Sequence, residues 1–217
     1  MKLDLITTKD GSHTLYRPDL DESYHSAYGA IQESQHIFIQ SGFLAVPKNN
    51  IQVFEMGFGT GLNVLLTILK ATDLKKAVKY YSIEKFPVSP ELVAQLNYSV
   101  ILSPGFHGIF KTIHHSGWDK DIGIGKVILH KIHSDILEYT IPAGNDLVYY
   151  DAFSPEKEPD LWSENIFRKI YDSMTTGGVF VTYSAKGEVR RNLISVGFRV
   201  EKLDGPPGKK HILRACK

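Results

Sequence analysis

Residues 51 to 63 read Ile-Gln-Val-Phe-Glu-Met-Gly-Phe-Gly-Thr-Gly-Leu-Asn. A short apolar run ends in an acid, Glu55. Glycines then follow at alternate positions, Gly57, Gly59 and Gly61, and a second apolar run, Leu62 to Leu69, has helical character. The pattern predicts a strand over 51–55, a tight turn, and a helix over about 60–71. Glycine adopts positive φ without strain and lets a ligand approach the bare backbone. The free N–H groups at the start of a helix favour an anion. In a sheet wound in both directions, a nucleotide-like ligand sits over the carboxyl end of such a strand. A tight glycine turn without a ligand gives the same pattern, since a lone glycine motif is a weak signal.

The spacing narrows the ligand. Leu62 stands where a dinucleotide fingerprint has its last glycine. Glu55, just before the turn, would repel a pyrophosphate. It suits a ligand carrying an ammonium, such as the methionine part of S-adenosylmethionine. A second strand is expected over 79–84, and it ends in Glu84, 23 residues after Gly61. That is where a doubly wound fold places the carboxylate that binds ribose hydroxyls. A third strand over 126–133 leads to Asp135-Ile136, which reads either as a helix cap or as a contact to the adenine amine and ring. A fourth strand, 146–151, ends in Asp151, an acid at the carboxyl end of a central buried strand.

Composition adds limits. The chain has 217 residues, 42% of them hydrophobic and 23% charged, with a net charge of +1. One main domain over 46–217 is expected, with an N-terminal hairpin and helix over 1–45 packed on it. The near-zero net charge leaves nucleic-acid binding to a local basic patch. One cysteine, Cys216, excludes an internal disulfide and a multi-cysteine zinc site. No apolar run has the length to cross a bilayer, and a reducing, cytoplasmic setting is expected. His130 and His133 are three apart and face opposite sides of a strand, while His114-His115 have no ligand partner at a recognisable spacing, so no metal is expected.

The remaining segments read in order. Residues 1–17 form a hairpin turned at Asp10-Gly11. Tyr24 and Tyr28 precede a helix over 31–40, and either pack on the main domain or form a flap over its site. A helix over 90–98 follows Ser89, and 99–125 is poorly patterned. A helix over 159–174 ends at Gly177-Gly178, and a fifth strand spans 179–183. Lys186, Arg190 and Arg191 open the next helix. Strands over 198–203 and 211–215 flank a Gly/Pro turn and Lys209-Lys210. A terminal hairpin after alternating strands and helices fits a Rossmann-like α/β fold, a mostly parallel seven-stranded sheet with an antiparallel C-terminal hairpin.

Five segments carry a resemblance: 55–63, Ser82 to Pro87, Asp151-Ala152-Phe153-Ser154-Pro155, Pro159 to Trp162, and Ala185 to Arg191 followed by Gly197-Phe198. The set, spread over about 22–215, resembles the methyltransferase domain of the MnmC-type tRNA wobble-uridine modification enzymes. The glycine turn is common to many class I methyltransferases, whereas the Asp-Ala-Phe-Ser-Pro and Val-Arg-Arg segments are more specific. The resemblance implies methyl transfer from S-adenosyl-L-methionine to the primary amine of 5-aminomethyl-2-thiouridine in tRNA. It also implies a stand-alone form lacking the flavin oxidase domain, with the aminomethyl substrate supplied by a separate enzyme.

By this resemblance the cofactor lies against Glu55, Gly57, Phe58, Gly59, Thr60, Gly61 and Asn63. Glu84 and Lys85, Asp135 and Ile136, and Asp151 complete its site. Asp151 would orient the amine and help take its proton. Tyr24, Phe153 and Pro155 would hold the extruded base of the anticodon loop. Lys186, Arg190, Arg191, Lys209 and Lys210 would meet phosphates of the anticodon stem. Three rivals are an aminopropyltransferase acting on a small amine, a nicotinamide dehydrogenase, and an RNA-binding module without catalysis.

Overall fold

The structure is a computed structural model that describes residues 2–102, 105 and 107–217. Its frame is one eight-stranded sheet whose centre is β4 (Asn50–Met56). β4 lies between two parallel neighbours, β5 (Ala77–Glu84) and β8 (Asn145–Tyr150). β7 (Val127–His133) extends the parallel set beyond β5, and β9 (Met174–Thr182) extends it beyond β8. The chain order therefore reverses between β4 and β8, and a crevice opens where the two carboxyl ends diverge.

The sheet is finished by antiparallel strands. β11 (His211–Cys216) pairs with β9 and with β10 (Arg199–Asp204). At the other edge, β6 (Asp121–Ile124) pairs antiparallel with β7. The expected class is therefore found with eight strands rather than seven. The added strand comes from the poorly patterned stretch, where Gly125 turns the chain at φ +59.

Strand alternation sends neighbouring residues to opposite faces. Val53 joins the core that contains α2 (Leu62–Asp73), whereas Phe54 joins the core that contains Phe167 of α6 (Glu164–Ser173) and Leu193 of α7 (Gly187–Ser195). Helices thus cover both faces, as a parallel sheet requires. The first core also includes Leu15, Ile31, Phe38 and Phe43 from the N-terminal region. That region is a three-stranded meander, β1 (Asp4–Thr7), β2 (His13–Arg17) and the two-residue β3 (Glu22–Ser23), rather than a hairpin alone. It is followed by α1 (Ala30–Ser34), which widens into a π-helical turn over Gln35–Gln40.

Other boundaries differ from expectation for local reasons. The helix expected over 90–98 splits into α3 (Pro90–Val93) and α4 (Tyr98–Leu102). Asn97, between them, is drawn off to the N-terminal meander, where it accepts from His13 N at 2.8 Å and donates to Gly11 O at 2.9 Å. Gly177-Gly178 does not end α6, which stops at Ser173. The pair lies in β9, with Gly177 N donating to Lys217 O and Lys217 N to Gly178 O. Within 99–125 the described residues include α5 (His107–His115) as well as β6, while Ser103, Pro104 and Phe106 of that stretch lie outside them. No described helix is long and apolar enough to cross a membrane.

Candidate active site

The carboxyl ends of β4, β5 and β8 meet the N-terminal meander around a cleft of about 640 Å³, within the range of small-ligand sites. The glycine loop forms its floor. Gly57, Gly59 and Gly61 all have positive φ, at +90, +50 and +72. At Gly57 the constraint is also spatial: a Cβ there would lie 2.8 Å from the Asp151 carbonyl. That close approach lets Asp151 N donate to Met56 O at 3.0 Å and joins the ends of β4 and β8.

Glu84 ends β5 and turns into the cleft. Its Oε2 accepts from Gly59 N at 3.0 Å and its Oε1 from Phe86 N at 2.8 Å. The carboxylate is fixed by backbone donors, yet each oxygen keeps an acceptor site for a diol. Asp135 and Ile136 form the next stretch of wall. Asp135 pairs with Lys85 at 2.7 Å and accepts from Leu137 N at 2.9 Å. These donors outweigh its burial and hold the carboxyl below its ordinary range. Ile136 is buried while Leu137 is exposed, so an apolar edge lies beside the acid.

Asp151 faces the deeper end. Its Oδ2 accepts from Asn63 Nδ2, in the first turn of α2, at 2.9 Å. Burial, followed by the negative charge of Glu33, raises the Asp151 carboxyl to about 7, against the lowering effects of Asn63 and Lys209. Glu33, which with Ser34 shares in the family resemblance, has no assigned place in the expected site. It is buried on α1, accepts from Ser26 N at 2.6 Å and lies 3.2 Å from Lys209.

The meander supplies the roof. Tyr24 packs its edge on Phe153 at 5.1 Å between ring centroids, and Arg17 lies over the same ring. Glu22 takes the Ser154 N–H and hydroxyl, at 3.0 and 2.8 Å, and so ties β3 to the segment after β8. Tyr24 is therefore part of the cleft, whereas Tyr28 is exposed and lies under Lys9, away from it. Acids dominate the lining: Asp21, Glu22, Glu33, Glu84, Asp135, Asp151, Glu158 and Asp160 face Arg17, Lys85, Lys157 and Lys209. Such a surface favours a cationic or amine-bearing ligand.

Several expected residues stand elsewhere. Glu55 has no exposed surface and lies beneath the loop, bonded to Ser82, because β4 turns its side chain into the sheet's interior. It cannot touch a ligand ammonium directly. Gly61 backs onto His114, which lies 2.8 Å from the place of its Cβ, and does not line the cleft. Phe58 and Thr60 do line it, braced from behind by His114, Trp118 and Tyr98. The segment whose pattern was weakest is thus the support of the loop.

Pro155 lies outside the wall formed by Phe153. Lys209 is inside the cleft, paired with Glu33, rather than on an outer phosphate track. Lys186 pairs with Glu156. Arg190, Arg191 and Lys210 are exposed beyond the cleft. Among the described residues no group of three His, Cys, Asp or Glu is arranged to hold a metal.

A glycine loop at the β4–α2 turn, a fixed acid at the end of β5 and a strand order that reverses beside them form the Rossmann-like site that S-adenosyl-L-methionine-dependent methyltransferases use. Residues 112–217 match the model of the S-adenosyl-L-methionine-dependent methyltransferase family Methyltransf_30. It is similar to the tRNA 5-methylaminomethyl-2-thiouridine biosynthesis bifunctional protein MnmC of Burkholderia multivorans, with 32% identity over 92% of this chain and 33% of that protein. The protein of the same name from Nitrosospira multiformis is 30% identical over 92% of this chain and 35% of its own length. The chain thus spans about a third of the length of these curated relatives.

Among solved structures, MNMC2 from Aquifex aeolicus superposes with a TM-score of 0.79 and 27% identity, covering 99% of this chain and 70% of that one. Spermidine synthase from Thermotoga maritima shares the fold, with a TM-score of 0.59 and 15% identity over 100% of this chain and 72% of that one.

The residues present fit the methyl donor. Glu84 is held with free acceptor capacity where a ribose diol is expected. Ile136 and Leu137 offer an apolar edge for a base, and the glycine loop brings bare backbone to the floor.

Proposed function

We propose that this chain transfers a methyl group from S-adenosyl-L-methionine to the primary amine of 5-aminomethyl-2-thiouridine at the tRNA wobble position, giving 5-methylaminomethyl-2-thiouridine. The observation that carries the reading is the position of Asp151. Its carboxylate stands at the strand end beside the glycine loop, anchored by Asn63, in a cleft rich in acids.

The donor supplies an activated methyl on a sulfonium, so the protein's work is alignment and proton handling. A primary amine reaches the cleft largely as an ammonium, which has no lone pair and cannot attack. Asp151 accepts a hydrogen bond from it, fixes its direction and draws off a proton. A carboxyl raised to about 7 is suited to holding that proton near neutral pH. Phe153, with Tyr24 against it, forms an apolar wall for the base. Arg190 and Arg191 on α7, together with Lys210, supply positive charge outside the cleft for the RNA backbone. Lys186 belongs to the same surface through its pairing with Glu156. The protein works in the cytoplasm on tRNA that already carries the aminomethyl group.

The acid-rich lining also favours a second substrate class, a small polyamine, which needs no basic outer surface. One assay separates them: labelled S-adenosyl-L-methionine with tRNA carrying the aminomethyl group, followed by nucleoside analysis. A 5-methylaminomethyl-2-thiouridine peak is expected. Label in added polyamine and none in the tRNA would overturn the reading.

A further inference from the structure

Glu55 does not reach the cleft, yet it is fully buried one layer beneath Asp151. Its Oε2 accepts from the Ser82 hydroxyl at 2.5 Å. Its Oε1 is buried with no hydrogen-bond partner. The nearby Asn63 acts on Glu55 as a hydrogen-bonding neighbour, and its own Oδ1 is likewise buried and unpartnered. The groups facing Glu55 are Tyr80 and Ser82 from β5, Asn63 from α2 and Asp151 after β8, with Tyr149 of β8 close enough for Glu55 to act on it. None is a cation. Tyr80 Oη is also left without a partner.

Two buried acceptor oxygens without donors are costly, and a buried carboxylate without a cation is more so. One proton removes both problems. We propose that Glu55 is held as a neutral carboxylic acid whose O–H donates to Asn63 Oδ1, so that the Asn63 amide is locked with Nδ2 toward Asp151. Glu55 is then a positioning residue. It touches neither donor nor amine, and it fixes the orientation of the one side chain that holds Asp151 in place. Burial, with the Asp151 charge adding, pushes the carboxyl up to about 8 against the lowering effects of Ser82, Asn63 and Tyr80. A neutral acid also places no second negative charge next to Asp151, which leaves Asp151 free to ionise.

The inference uses the proposed role of Asp151, but its first test does not. Infrared spectra at neutral pH are expected to contain a protonated-carboxyl carbonyl band in Asp151→Asn, where Asp151 contributes none, and to lose that band when Glu55→Gln is added. Absence of the band from Asp151→Asn, or its persistence in the double variant, overturns the proposal whatever the substrate proves to be. The second test is kinetic. Glu55→Leu removes the donor and is expected to lower kcat on the order of 10-fold or more, as loss of an outer partner of a reactive group does, with KM for S-adenosyl-L-methionine little changed. Glu55→Gln, whose amide N–H can replace the acid O–H, is expected to recover most of that loss. A Gln variant as impaired as the Leu variant, with folding intact by circular dichroism, also overturns it.

Discussion

Asn63 Nδ2 and Asp151 Oδ2 lie 2.9 Å apart, across 88 residues of sequence. This bond joins the helix that follows the glycine loop to the strand end at the deeper side of the cleft. It makes the two halves of the site a single mechanical unit, and the first prediction follows from it.

Asp151→Asn keeps the shape of the side chain and removes its ability to hold a proton. Methyl transfer is expected to fall by about 10²- to 10⁴-fold, the range for a positioned base. S-adenosyl-L-methionine binding, measured by calorimetry, is expected to stay within a few fold. Near-normal turnover in this variant would remove Asp151 from the mechanism.

The raised Asp151 carboxyl sets a pH dependence. Below about 7 it carries a proton and cannot accept one from the amine, so kcat/KM is expected to rise as pH passes upward through about 7. Stability runs the other way. The folded-state value lies above the ordinary 3.8, so the folded protein holds this proton more tightly than the unfolded chain. The contribution is fully present below the unfolded value and is lost as pH climbs to about 7, with a slope of up to about 1.4 kcal/mol per pH unit for one such group. Urea denaturation of the wild type and Asp151→Asn across pH 4 to 8 checks this, through a shallower slope in the variant.

Glu84→Gln tests the floor of the cleft. The amide retains one acceptor oxygen and cannot take both Gly59 N and Phe86 N while also binding a diol. Loss of a charged hydrogen bond is expected to weaken S-adenosyl-L-methionine binding by about 1.5–3 kcal/mol, roughly 10- to 150-fold. An unchanged Kd would show that the ligand lies elsewhere in the cleft.

Arg190→Ala with Arg191→Ala tests the outer surface. Both side chains are exposed beyond the cleft, so folding should be nearly unaffected. tRNA binding is expected to weaken, and the slope of log K against log salt to fall by about 0.7–0.9 for each phosphate that is no longer neutralised. A filter-binding series at increasing salt measures it, and an unchanged slope would move the RNA path to another face.

The sequence was most legible where backbone chemistry constrains residue type. The three glycines announced the loop, and Glu84 and Asp151, each closing an apolar run, announced the strand ends that meet the cleft. It was less legible where tertiary contacts decide. Asn97 left its helix to serve the meander, and Gly177 and Gly178 were drawn into β9 by pairing with Lys217. Glu22 and Arg17 gave no local signal, and Glu33 stood only within the family resemblance, since each acquires its role from a partner distant in sequence. Glu55 stands out in the sequence as an unusual acid but sits a layer deeper than expected, because periodicity alone does not tell which face of a central strand meets the ligand.

The clasp of Glu22 on Ser154 spans 132 residues. On a ribosome, the roof of this cleft emerges early and has nothing to hold until β8 and the segment after it have been made. Loops of that span form late because their closure entropy precedes any reward. The crevice is therefore completed only after β8 and the segment that follows it have been made. The amino-terminal strap is thus anchored twice, by Leu15, Ile31, Phe38 and Phe43 in the core and by the Glu22 clasp at the strand ends, and cutting the clasp alone would loosen the roof while the core anchor holds.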